Sequence, residues 1–248
     1  MRILIGSALL AFCASGLAQE RLFANHVDNR TVITFRAPDA AVQKMLPEGW
    51  EINAPASGPG KGANLALVLI EQLIVLDAQG APVEPARGAV LTIPARKKGS
   101  DAAGSMVVAG LFTGKGAPGA YGVYLPATVN LERRQRVDGD GKILIEERWS
   151  AKGPDGHWIE AQVQFARGPT ARTKSESKAY SGARPDFYRI YRAETVSDVV
   201  RGAETTDVSA VSVSVGGQKY TPLLGGSQKI VSVTSIPSFV RAIYLPGP

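Results

Sequence analysis

Cysteine is nearly absent from this sequence and histidine is scarce: Cys13 stands alone, and His26 and His157 are the only imidazoles. One cysteine forms no internal disulfide, so a disulfide-stapled fold is excluded and stability has to come from a hydrophobic core. Two histidines far apart make a poor zinc site. No Gly-x-Ser-x-Gly string occurs, which leaves a serine–histidine–acid hydrolase without its nucleophile turn. Aromatic residues make up only 7% of the chain, and none is interleaved with the basic clusters Arg96-Lys97-Lys98, Arg133-Arg134-Gln135-Arg136 and Arg167 to Lys178. The net charge of +6 is therefore solvated basic surface and not a nucleic-acid footprint. After residue 18 there is no apolar run of spanning length. Ala63 to Leu76 comes nearest, but Glu71 and Gln72 interrupt it.

The N-terminus has what the rest lacks. Met1-Arg2 is followed by the apolar run Ile3 to Phe12 and by small residues up to Gly16-Leu17-Ala18. A charged start, a short apolar core and a small-residue exit are the marks of a secretory signal. The expectation is cleavage after Ala18, so that residues 1–18 form the signal and residues 19–248 a single domain that acts in the periplasm or outside the cell. Cys13 would leave with the signal.

The remaining pattern is that of strands. Thr31-Val-Ile-Thr-Phe35 is β-branched and aromatic, and Leu65 to Leu76 suits a central strand covered on both faces. Val211, Val213 and Val215 alternate with serines, as one buried face requires. Asp138-Gly-Asp-Gly141 between two apolar segments predicts a hairpin, because Asp-Gly supplies the positive φ of a tight turn. One short helix is expected after Pro38, with Asp39 as its N-cap and Pro47 and Gly49 ending it. Arg167 to Arg184, polar and basic, is expected as a surface excursion. Some ten strands with one early helix predict a mainly β chain, a single antiparallel barrel-like or sandwich domain. Gly114-Lys-Gly-Ala-Pro-Gly119 matches a dinucleotide string, but the strand-like Ala120 to Tyr124 follows it where a helix belongs, so a loop at a pocket mouth is the better reading.

The order of segments adds a family resemblance. Asn29-Arg30-Thr-Val-Ile-Thr-Phe-Arg36, with Ala37 to Glu48 after it, resembles the N-terminal region of the acetoacetate decarboxylase-like superfamily, where a strand ending in an aromatic–Arg pair leads to a short helix. Arg184-Pro-Asp-Phe-Tyr-Arg-Ile190 and Ser235 to Leu245 resemble its later strands. The resemblance implies a β-rich barrel around a small-molecule cavity. In that family a lysine forms a Schiff base with a β-keto acid. Here the corresponding stretch, Leu125 to Arg136, lacks the expected Pro-Lys-Lys; Lys97-Lys98 lies too early and Lys142 flanks a turn. A covalent lysine is therefore not expected. Arg30 aligns with an arginine that the family places near its pocket, and Glu132 and Arg133 fall where a pocket ion pair would lie, so these three are the candidate ligand-binding residues. The implied partner is a small organic acid or carbonyl compound, with no cofactor, metal or nucleic acid, and a homo-oligomer is compatible with all of this. A lyase or hydratase without a covalent lysine, and a non-catalytic envelope interaction protein, stay open as alternatives.

Overall fold

Runs of valine, leucine and isoleucine separated by glycine and proline set the element boundaries. A computed structural model describes residues 20–202 and 207–247; the expected signal and Cys13 lie outside them. In chain order the elements are β1 (Arg21–Arg36), α1 (Asp39–Gln43), β2 (Trp50–Ile52), β3 (Leu65–Asp77), β4 (Arg87–Lys97), β5 (Ala103–Phe112), β6 (Tyr124–Pro126), β7 (Thr128–Val137), β8 (Ile143–Lys152), β9 (Trp158–Ala166), β10 (Ala171–Ser181), β11 (Tyr188–Arg201), β12 (Val208–Gly216), α2 (Thr221–Leu224) and β13 (Lys229–Leu245).

The larger sheet has the order β2-β4-β3-β1-β13-β11-β10-β5-β6, and β4 also pairs with β5. That second pairing closes the strands from β4 round to β5 into a barrel, which removes their free edges. Strands β12-β9-β8-β7 form a separate antiparallel sheet. The architecture is thus a barrel with a sheet packed on it. The barrel is mixed, not wholly antiparallel as the sequence suggested: β5 runs parallel to both β10 and β6. Hairpins impose antiparallel pairing only between sequence neighbours. The chain leaves the barrel to build β7, β8 and β9 before β10 returns beside β5, so the direction of that pair is free of any hairpin.

Period-two alternation sends each strand's side chains to two different environments. On β3, Leu65, Leu67 and Leu69 are fully buried against the second sheet, while Val68 and Ile70 face the barrel interior. The expected double coverage therefore holds as far as Ile70; Leu73 and Ile74 beyond it are about half exposed, at 50% and 49%. On β1, Ile33 and Phe35 join Trp149, Val163 and Phe165 in the core between barrel and sheet. Glu147 anchors the same junction. It accepts hydrogen bonds from Thr31 Oγ1 (2.6 Å), Trp149 Nε1 (3.1 Å) and Arg133 Nε (2.8 Å), and Arg133 also donates to Glu71 and Asn29 on the barrel.

Several local expectations meet the structure directly. The Asp138 hairpin joins β7 to β8, with Val137 opposite Ile143, Gly141 at φ +78°, and Asp138 Oδ1 accepting from the amides of Asp140 and Lys142. The short helix is there, but Pro38 is its N-cap and Asp39 its first residue. Asp39 instead accepts from Arg36 and Asn64. The segment expected as a surface excursion contains β10, a barrel strand. Its side chains from Ala171 to Lys178 are exposed, which hid it in the sequence, yet its backbone pairs with β11 from Ala171 opposite Ser197 to Tyr180 opposite Tyr188.

Candidate functional site

The interior of the barrel is not filled. A cavity of about 290 Å³ is walled by residues from β1, β3, β4, β5, β10, β11 and β13 and by the loop between β5 and β6. One side is apolar, with Val68, Ile70, Val90, Val107 and Phe112. Phe112 stacks on Tyr124 at 4.8 Å between ring centroids. The loop that resembled a dinucleotide string contributes Gly116, Gly119 and Ala120 to the wall. Gly119 has φ +67°, and a Cβ there would lie 2.5 Å from the Tyr124 ring. Only glycine fits both its backbone and its neighbour.

The opposite side is cationic. Successive inward positions of β1 carry His26, Asp28 and Arg30; β11 supplies Arg189 and Tyr191, and β13 supplies Phe239 and Arg241. Asp28 is completely buried and pairs with Arg30 Nη2 at 2.5 Å and Arg241 Nη2 at 3.3 Å. The Arg30 guanidinium also lies 3.8 Å from the centroid of the Phe239 ring, a cation–π contact. Gln72 Nε2 and Arg241 Nη2 both point at His26 Nδ1, at 3.3 and 3.2 Å. Two donors facing one nitrogen require it to be an acceptor, so His26 is neutral, with its proton on Nε2. Burial and then the Arg241 charge push its pKa down from 6.5 to about 4.

One carboxylate thus pairs with two guanidinium groups, and Arg189 adds a third to the same cavity wall. Burial and then the neighbouring Arg241 charge pull Arg30 down to about 10. The Nε–H groups of Arg189 and Arg241 are buried and have no hydrogen-bond partner among the described residues. Beside them, the hydroxyls of Tyr121 and Tyr191 are hydrogen-bonded to each other. Chemically, this is an anion-binding end joined to an apolar end.

Of the candidates taken from the sequence, Arg30 stands in the cavity wall, buried to 8% exposure in the middle of a strand. Glu132 and Arg133 are not brought to it. Glu132 lies on β7 and accepts from Arg134, and Arg133 bridges the two sheets through Glu147 and Glu71. Lys97, Lys98 and Lys142 are exposed, and Lys178, at the cavity rim, is exposed with its ammonium 5.4 Å from the Tyr188 ring centroid. Asp28, Arg189, Tyr121, Tyr191 and Arg241 escaped the sequence reading. The alternating polar residues His26, Asp28 and Arg30 on one strand were a usable signal, since three polar inward positions in a row mark either an edge or a site.

No protein-family model matches the sequence, and no curated protein does. Solved structures do match in shape. An acetoacetate decarboxylase-like enzyme from Sphingomonas wittichii RW1 superimposes with a TM-score of 0.53 at 9% identity, over 98% of this chain and 97% of that one. The fold is that of the acetoacetate decarboxylase-like enzymes. MppR, an enduracididine biosynthesis enzyme in a structure with HEPES buffer bound, agrees at a TM-score of 0.51 and 10% identity, over 94% of this chain and 89% of its own. The likeness extends over 98% of this chain in the first case and 94% in the second. At such identity it carries the fold and not a reaction.

Proposed function

We propose that this protein is an exported binder of small organic acids, and that Arg189 and Arg241 hold the ligand carboxylate while Arg30 supports them. One observation carries the reading: two guanidinium Nε–H groups without partners, in a cavity where positive charge exceeds negative. A buried donor left unpaired costs about 1–3 kcal/mol. A carboxylate satisfies such donors and the charge together, through charge-assisted bonds. The apolar wall from Val68 to Phe112 would take the carbon skeleton. A cavity of about 290 Å³ lies at the lower end of small-molecule sites, roughly 300–1,000 Å³, so the acid is small. The acetoacetate decarboxylase-like fold supports an organic acid or carbonyl ligand, and the N-terminal signal pattern supports export.

Titration calorimetry with pyruvate, 2-oxobutanoate and benzoate against their amides or alcohols tests the reading. Acids are expected to bind and their neutral analogues to fail. Arg189→Gln, which removes one guanidinium without emptying the wall, is expected to weaken binding at least tenfold, about 1.4 kcal/mol. Equal affinity for an acid and its amide would refute the proposal.

A further inference from the structure

We propose that Tyr191 is the proton acceptor of this cavity, and that the barrel removes the proton on the carbon next to the carbonyl of a bound 2-oxo acid. This rests on the acid-binding reading above and extends it from binding to chemistry.

Tyr191 stands two residues after Arg189 on β11, and both side chains line the same cavity. A ligand carboxylate on Arg189 and Arg241 would bring its neighbouring carbons beside the Tyr191 hydroxyl. Among the described residues that hydroxyl has a single hydrogen-bond partner, Tyr121 Oη. The groups facing the pair are the guanidiniums of Arg241, Arg189 and Arg30 and the phenol of Tyr124. The Arg241 guanidinium carbon lies 4.6 Å from the Tyr191 ring centroid, and that of Arg189 lies 5.7 Å from the Tyr121 ring centroid. Asp28 Oδ2 is taken up by Arg30 and Arg241, and its Oδ1, which has no hydrogen-bond partner among the described residues, belongs to a fully buried side chain behind the cavity lining. His26, the other base in the wall, has its Nδ1 covered by two donors. The oxygen that can carry negative charge here is therefore the one on Tyr191, with Tyr121 donating to it. Burial pushes the Tyr191 phenol up, but Arg241, Arg189, the hydrogen bond from Tyr121 and Arg30 together bring it below 10. Burial and the Tyr191 charge drive Tyr121 the other way. One ionisation is thus shared by the pair and rests on Tyr191.

The step balances without a cofactor. The C–H bond breaks and its proton forms an O–H bond on Tyr191. The electron pair becomes the carbon–carbon double bond of an enolate, and the carbonyl π pair settles on oxygen beside the guanidiniums, which stabilise it. Exchange of the Tyr191 proton with solvent through Tyr121, followed by the reverse step, returns the oxo acid with a solvent proton on carbon.

Proton NMR in D₂O follows loss of the C3 proton signals of pyruvate and 2-oxobutanoate with wild type, Tyr191→Phe and Tyr121→Phe, with calorimetric affinities measured alongside. Wild type is expected to exchange at least a hundredfold faster than Tyr191→Phe, with affinity changed less than threefold, and Tyr121→Phe to fall between. Tyrosinate absorbance near 295 nm is expected to titrate below pH 10 in wild type and to lose that step in Tyr191→Phe. Exchange by Tyr191→Phe at the wild-type rate overturns the proposal, and so does wild-type exchange no faster than buffer. Binding without exchange removes the proton transfer alone, whereas no binding by either acid removes the acid-binding reading as well. Should Tyr191→Phe fail to fold, wild type and Tyr121→Phe decide by the same rates.

Discussion

Asp28 holds two of the cavity's guanidinium groups together. Its single negative charge is shared between Arg30 and Arg241, and Arg241 in turn fixes the tautomer of His26. This arrangement has a pH consequence. Folded His26 resists protonation down to about pH 4, whereas the unfolded imidazole takes a proton near 6.5. Between these values the unfolded chain binds more protons, so stability is full above about pH 6.5 and falls as the pH drops toward 4, by about 3 kcal/mol in total. His26→Gln keeps an acceptor for Arg241 and does not titrate. Unfolding free energies from urea titrations at pH 7.5 and 4.5 are expected to differ less in that variant than in wild type by about 2–3 kcal/mol; an identical difference in both proteins would contradict the assignment.

At the scale of elements, the joint between β5 and β10 is short and close-packed. Only three residue pairs join these parallel strands, from Ala179 opposite Ser105 to Ser181 opposite Val107. Gly104 lies at the start of that joint, and a Cβ on it would come 2.3 Å from the backbone oxygen of Lys178. Backbone cannot swing aside as a side chain can, so Gly104→Ala is expected to destabilise by about 2 kcal/mol, within the range for overpacking. At Gly60, where the nearest atom to an added Cβ is 4.0 Å away, the same change is expected to be nearly neutral. Thermal midpoints of the two variants decide this. The elements also show how far local pattern carries. β3, β12 and the β7–β8 hairpin were legible, because alternation and Asp-Gly are local signals. β10 was not, since eight exposed residues carry no hydrophobic period and only pairing with β11 makes them a strand. In β13, Pro237 breaks the hydrophobic pattern, yet pairing with β1 and β11 continues across register shifts at that point.

Over the whole molecule, the packed core and the cavity wall occupy different faces of the same strands. Leu67 of β3 is fully buried between barrel and sheet, whereas its neighbour Val68 lines the cavity. Leu67→Ala is expected to cost about 3 kcal/mol in denaturant unfolding, as large-to-small core changes do, and to leave acid affinity unchanged. Arg189→Gln is expected to do the reverse. A Leu67→Ala protein that lost affinity in step with stability would show that the two faces are coupled. The β class, the turns, the likeness to acetoacetate decarboxylase-like chains and the position of Arg30 could be read from the chain, because alternation, turn chemistry and segment order are all written along it. Which charges meet is a matter of the folded barrel. Arg241 is 213 residues from Asp28, and Glu132 and Arg133 are adjacent in sequence yet bond in different directions. Barrel closure sets those distances through long-range register, and no local pattern encodes which residues will share an interior.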